Sequence, residues 1–250
     1  MIDHVFYDGV ELTDQWSIVN VARNPSAMST KTQTVQGRAG AVFMGTVPAP
    51  LTVSFVALLN GQYSEDRRAA SRQLRAVLQK DGPRRLSFSD DDGLYYLAVL
   101  KDIKETRYKR TTAWAVTMDV LEPYLFDSET KQITSDNGAA VSIAETEVGG
   151  TAVTYPVVEL VDARPGSDGY VEIKLDSAVA MRVNLTTGVN SQVIIDCAPS
   201  TRRVLVNDIA TMLTVDSDWL ALYPGQAHTV AVTAGTVASY TVSWSDRWAV

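Results

Sequence analysis

A chain of 250 residues with 46% apolar and 20% charged side chains has enough apolar surface to bury a real core, which excludes a disordered tail. A formal net charge of −7 and a pI near 4.9 argue against a general binder of nucleic acid or anionic membrane. The charge is uneven. Residues 1–130 carry 15 Lys and Arg against 16 Asp and Glu, and residues 131–250 carry 7 against 13. No apolar run approaches the roughly 20 residues that span a bilayer. The opening Met1-Ile2-Asp3-His4-Val5 has no basic region and no apolar stretch after it, so no secretory leader is expected and folding in a cytoplasm is. The single cysteine, Cys197, reads as a small buried hydrophobe.

The first half predicts strands and one helix. Val5-Phe6-Tyr7 and Val10-Glu11-Leu12 flank Asp8-Gly9, a two-residue hairpin signal. A strand over Trp16–Val21 is followed by a loop opened by Asn24-Pro25-Ser26. Leu51, Val53, Phe55 and Ala57 alternate with Thr52, Ser54 and Val56, the pattern of a half-buried strand. Ser64 stands as an N-cap, with Glu65 and Asp66 in the first turn of a helix. Ala70, Leu74, Val77 and Leu78 then mark one helical face, and Gly82-Pro83 ends it. Opposite that face run Arg68, Arg72 and Arg75, also at i, i+4 and i+7. Two readings stand for this stripe: a solvated face, or a contact with an acidic neighbouring subunit. Strands over Leu94–Ile103 and Thr111–Leu121 follow, with Trp114, Val116, Met118 and Val120 on one face of the second.

From Asp127 to Gly150 the chain is rich in Ser, Thr, Gly, Ala and acids, which predicts a linker with a first loose strand over 127–149. Beyond it the chain reads as almost purely β. Val171, Ile173 and Leu175 alternate with Glu172, Lys174 and Asp176, and Met181, Val183 and Leu185 with Arg182, Asn184 and Thr186. Val193–Cys197, Val204–Val206, Thr229–Val232 and Tyr240–Trp244 continue the pattern between turns such as Asp168-Gly169 and Pro224-Gly225. Many short strands with regular turns predict a sandwich or jelly roll. The fold class is therefore mainly β with one α-helix in an N-terminal domain over 1–126, and a C-terminal β-sandwich over 150–250.

Residues for chemistry are sparse. Hydrolase triads need a histidine base, and only His4 and His228 exist, each read as a surface residue. Two histidines and one cysteine do not make a zinc site, and no nucleotide-binding or nucleophile-elbow motif occurs. Asp90-Asp91-Asp92-Gly93 lacks the spacing of a calcium loop and reads as a hairpin turn. Asp216 and Asp218 beside Trp219 read as an exposed turn before a buried tryptophan. Tyr240, Trp244 and Trp248 share a face if one strand carries all three, which favours core or subunit packing over sugar stacking. No catalytic residue, cofactor or metal is expected.

The order of these features resembles the siphophage distal tail family over nearly the whole chain. The resemblance rests on the Asp8-Gly9 hairpin, Val21-Ala22-Arg23, Gly37-Arg38-Ala39-Gly40 before Val42, the strand Leu51–Leu58, and the helix ending in Leu74 and Leu78. It continues through Arg85-Leu86-Ser87-Phe88-Ser89-Asp90 and Glu122-Pro123-Tyr124-Leu125-Phe126. Tyr155-Pro156-Val157-Val158-Glu159-Leu160, Gln192–Asp196, Leu222-Tyr223-Pro224-Gly225-Gln226 and Ser243–Trp248 carry it to the end. Gln226 departs from the family's usual asparagine. The resemblance implies a ring-forming N-terminal β domain and a galectin-like C-terminal β-sandwich. It also implies a homo-oligomer, a hexameric ring at the tail tip of the virion, with a lumen for DNA passage. The implied partners are the tail tube protein, a tail-associated lysin or hub protein, and receptor-binding or baseplate subunits, with no membrane partner. A carbohydrate-binding adhesion module acting through the C-terminal sandwich is the alternative function.

Overall fold

The computed structural model describes residues 4–13, 16–25, 27–34, 40–60, 64–107, 111–176 and 178–250. Ser26, the Gly37-Arg38-Ala39 motif and the capping side chains of Ser64, Glu65 and Asp66 lie outside the described residues. The chain divides into two compact units, residues 1–126 with Val250, and residues 127–249.

The first unit contains β1 (Val5–Tyr7), β2 (Val10–Glu11), β3 (Ser17–Arg23), β4 (Met28–Thr34), β5 (Ala41–Pro48), β6 (Leu51–Asn60), α1 (Ser64–Leu78), β7 (Arg84–Phe88), β8 (Leu94–Arg107), β9 (Thr111–Val120) and most of β10 (Tyr124–Asp127). Its main sheet runs in the order β2-β1-β7-β8-β9-β6-β3, and β10 joins at β8. Asp8 and Gly9 both adopt positive φ, 52° and 78°, which is the backbone a primed two-residue turn requires. The alternation along β6 and β9 sets which side of the sheet is dry. Leu51, Val53, Phe55 and Ala57 pack with Trp114, Val116, Met118 and Val120 in one core. The helix closes that core with Leu74 and Leu78, both fully buried, and with Ala70 and Val77 beside them. Each such aliphatic burial contributes about 2 kcal/mol. Asp90 and Asp91 form the turn between β7 and β8, where Arg23 of β3 binds both carboxylates and its guanidinium covers the Phe88 ring at 4.9 Å.

The second unit contains β11 (Lys131–Asp136), β12 (Val141–Ile143), β13 (Val157–Ala163), β14 (Tyr170–Leu175), β15 (Val179–Asn184), β16 (Ser191–Asp196), β17 (Arg203–Val206), β18 (Ile209–Thr211), β19 (His228–Ala234), β20 (Ser239–Trp244) and β21 (Arg247–Ala249). A six-stranded sheet, β11-β20-β13-β16-β17-β18, faces a four-stranded sheet, β12-β19-β14-β15. Leu160, Val193 and Tyr240 from the first share one core with Ile173, Met181 and Val230 from the second, which makes the unit a β-sandwich. Tyr240 ties the layers together, its hydroxyl lying 2.7 Å from the Ala139 carbonyl and 2.8 Å from the Val230 carbonyl, which share its one proton. Cys197 lies in this core, where burial pushes its thiol up to about 12.

Residues 127–149 hold two paired strands where the composition suggests a linker with one loose strand. β11 pairs with β20 over six residues and β12 with β19 over three. Their apolar content is low because only alternate positions, Ile133, Val141 and Ile143, face the core. A glycine pair follows. The N–H of Gly149 donates to Asp246 Oδ1 at 3.0 Å, and a Cβ on either Gly149 or Gly150 would overlap Asp246 or the Arg247 backbone. Lys131 Nζ donates to the other Asp246 oxygen at 2.6 Å, so the buried carboxylate is fully engaged.

Candidate functional site

The three arginines read as a stripe lie together on the exposed side of α1, opposite Leu74 and Leu78. Arg68, Arg72 and Arg75 form no ion pair with a described carboxylate. Arg75 occupies the last turn, where a cation is favoured by the helix dipole. The hydroxyl of Ser71 donates to Glu105 of β8 at 3.3 Å, so the helix is fixed and the stripe has a defined direction.

A second surface escaped the sequence reading. Among the described residues β4 and β5 pair only with each other, as a two-stranded sheet separate from the main one. Every residue of β4 is exposed. Met28, Phe43 and Met44 are 60%, 64% and 61% exposed, although Met and Phe rank among the side chains most often buried. The strands read Met-Ser-Thr-Lys-Thr-Gln-Thr and Ala-Val-Phe-Met-Gly-Thr-Val-Pro. Their Thr and Val content favours strands, but neither alternates polar with apolar, because neither has a core side.

A third surface lies at one edge of the sandwich. β18 ends the six-stranded sheet and all three of its residues are exposed. Ile209, Met212 and Val215 are 72%, 85% and 101% exposed. Beside them is a cleft of about 340 Å³, with Leu185 and Val206 toward the core and Asn184 and Asn207 among its polar lining residues.

The residues weighed for chemistry are placed otherwise than a surface reading expects. His228 is buried at the start of β19, not in an exposed turn. Its Nε2 lies 2.9 Å from the Tyr223 N–H, which can only donate, so Nδ1 carries the proton and donates to Asp176 Oδ2 at 2.7 Å. Asp176 also accepts from the Thr229 N–H at 2.7 Å. The ring is therefore a structural tie holding the 223–228 turn. His4 is exposed and binds Glu11, whose carboxyl it holds below its usual value. Trp244 is buried in the core, while Trp219 is half-buried beneath the Arg202 guanidinium at 5.4 Å. Trp248 does not share a strand with Tyr240 and Trp244, because β20 stops at Trp244 and β21 begins at Arg247. Among the described residues no three potential ligands cluster as for a metal, and no helix is long and apolar enough to cross a membrane.

What this arrangement offers is exposed surface. Residues 8–120 match the family model described as a phage tail protein RIFT-related domain, and residues 149–248 match the siphovirus-type tail component, C-terminal domain. The chain belongs to the siphovirus distal tail protein family. The distal tail protein of Bacillus phage SPP1 is 26% identical over 238 residues, covering 90% of each chain. The crystal structure of SPP1 Dit, described as a paradigm of the hub adsorption apparatus in phages infecting Gram-positive hosts, superposes with a TM-score of 0.71 at 18% identity, covering 98% of each chain. A chain of the phage p2 baseplate in its activated conformation with Ca gives a TM-score of 0.56 at 11% identity, covering 97% of this chain and 98% of that one. This distal tail family member is a structural component of the virion's tail tip.

Proposed function

We propose that the protein closes a hexameric ring through residues 1–126, joins the tail tube to the tail-tip apparatus, and leaves a lumen for DNA. The observation that carries this reading is the β4–β5 arm. A lone two-stranded hairpin is marginally stable in water, and this one exposes three large apolar side chains. A neighbouring copy supplies the missing cover. The contact is heterologous, arm to body, and such contacts form a ring when the rotation between successive copies closes. Six copies is the number that family membership carries. The acidic pI suits a passage that DNA crosses without binding, since phosphate affinity requires an excess of Lys and Arg.

The second unit serves as a docking platform for basic baseplate or receptor-binding subunits, and the hub or lysin protein meets the ring. Synthesis takes place in the host cytoplasm. The protein acts as a structural component and not as an enzyme: its relative is a distal tail protein, and His228, the one buried histidine, has its Nε2 bonded to a backbone N–H rather than to a nucleophile.

Negative-stain electron microscopy of the purified chain tests the ring. Closed particles with a central opening are expected, and isolated monomers at high concentration would refute it. The arm can be removed without opening the sheet, because Arg23 of β3 lies opposite Val53 of β6. Replacing residues 26–49 with a short Gly-Asn-Gly turn converts β3–β6 into a tight hairpin. That variant is expected to fold, melt normally and fail to form rings.

A further inference from the structure

We propose that the free edge of β18 and the cleft beside it take up an extended segment of a partner protein, basic and apolar in alternation, as a seventh strand of the six-stranded sheet. This deepens the docking-platform reading of the second unit and rests on it.

The backbone sets the stage. Asn207 and Asp208 both have positive φ, 49° and 63°, and form a two-residue turn between β17 and β18. In such a hairpin Val206 and Ile209 are the hydrogen-bonded pair that closes the turn. The next pair, Leu205 with Ala210, is not hydrogen-bonded, so Ala210 turns its N–H and C=O away from the sheet.

Natural sheets protect such edges with Lys, Pro, bulges or covering chain. The four-stranded sheet does so. The segment after β18 crosses to it and caps β15, with Leu213 bridging Val183 and the N–H groups of Thr214 and Asp218 donating to Arg182 and Ala180 at 3.0 Å each. Apart from its length of three residues, β18 has none of these devices. Ile209-Ala210-Thr211-Met212 contains no charge and no proline, and its apolar side chains stand in solvent. Val189 is also nearly half exposed at the cleft. An added strand would seat alternate side chains there, which is how strand addition gains specificity.

Charge selects the occupant. Asp208 adjoins the exposed edge, while Asp216 and Asp218 lie further along, on the segment that caps β15. Arg182 reaches Asp216 only at 3.8 Å and is bound to Glu172 at 2.5 Å. Residues 131–250 carry 13 acids against 7 basic residues. A second copy of this chain would bring another Asp208 and a second acidic unit to this edge, whereas a basic segment would neutralise the charge already there.

The full-length protein is titrated against fluorescein-labelled peptides of about eight residues, read by fluorescence polarisation. An alternating Lys-Val peptide is expected to bind saturably. A Glu-Val peptide of the same length is expected not to bind. The Lys-Val peptide N-methylated at alternate residues keeps its charge but loses its strand donors, and is expected to bind at least tenfold more weakly. Ile209→Ser with Met212→Ser removes the apolar contacts without adding charge, and is expected to weaken the unmodified peptide at least tenfold with an unchanged circular dichroism spectrum. Equal binding of methylated and unmethylated peptides, or no saturable binding at all, overturns the proposal. Because the methylation is on the peptide, that comparison does not depend on a variant folding. Concentration-dependent dimers abolished by Ala210→Pro would assign the edge to a second copy and also overturn it. Rings without peptide binding would sink this inference alone, and peptide binding without rings would sink only the ring.

Discussion

Glu172 stands at an alternate, nominally outward position of β14, yet it is buried. Period-two patterning assigns sides and says nothing of what covers the outer side. Here Thr233 donates to its carboxylate at 2.6 Å, Arg182 lies opposite it on β15 and donates at 2.5 Å, and Lys174 stands at 3.1 Å. Burial alone would raise the carboxyl's pKa, but these three donors prevail and hold it at about 2, against an ordinary 4.5. A depressed carboxyl stabilises the fold at any pH above its unfolded value and loses that contribution as pH falls through its folded one. The window is therefore 4.5 down to about 2. Denaturant titrations across it are expected to show wild type losing stability that Glu172→Gln lacks from the start, with the variant about 2 kcal/mol weaker at neutral pH. Parallel pH profiles for the two would refute the assignment. His228 teaches the same lesson: its neighbours in sequence, Pro224 and Gly225, signal a turn, but its partner Asp176 is 52 residues away and invisible to local reading.

At the scale of elements, the sequence was most legible where one side of an element is dry. Leu74 and Leu78 on α1, and the Trp114–Val120 face of β9, announce themselves by period because burial selects them. The β4–β5 arm has no dry side within its own chain, so nothing in its pattern could mark it. For the same reason the arginine stripe was legible as a stripe but not as an interface: exposure is common to both readings. Charge-neutral substitution separates them. Gln keeps the helix propensity of Arg, so Arg68→Gln, Arg72→Gln and Arg75→Gln together remove charge with little effect on α1. Exposed ion pairs are worth about 0–1 kcal/mol each, so only the triple variant is expected to be visible. Ring formation should then need roughly tenfold more protein and lose its dependence on salt. Unchanged assembly by light scattering, with unchanged salt dependence, makes the stripe a solvated face.

For the whole molecule, the sandwich invites the reading of a sugar-binding module, and fold alone cannot decide it. A sugar site needs an open aromatic face beside convergent polar groups. In the second unit three aromatic rings carry one of the protein's own cations over a face. Arg182 lies over Tyr170 at 5.3 Å, Arg202 over Trp219 and Arg247 over Tyr155 at 5.4 Å each. Trp244 is in the core, and Tyr223, nearly half exposed, is tilted against His228. A sugar would have to displace a guanidinium from its ring, losing about 0.5–2 kcal/mol of cation–π attraction before gaining any stacking. Protein docking needs no such rearrangement, since the large side chains of Ile209, Met212 and Val215 are already exposed. The full-length chain on a glycan array is therefore expected to give no reproducible binding to any simple sugar. Binding to one sugar class that is lost in Trp219→Ala or Tyr223→Ala, with the thermal melt unchanged, would reverse the conclusion and make this unit an adhesion module.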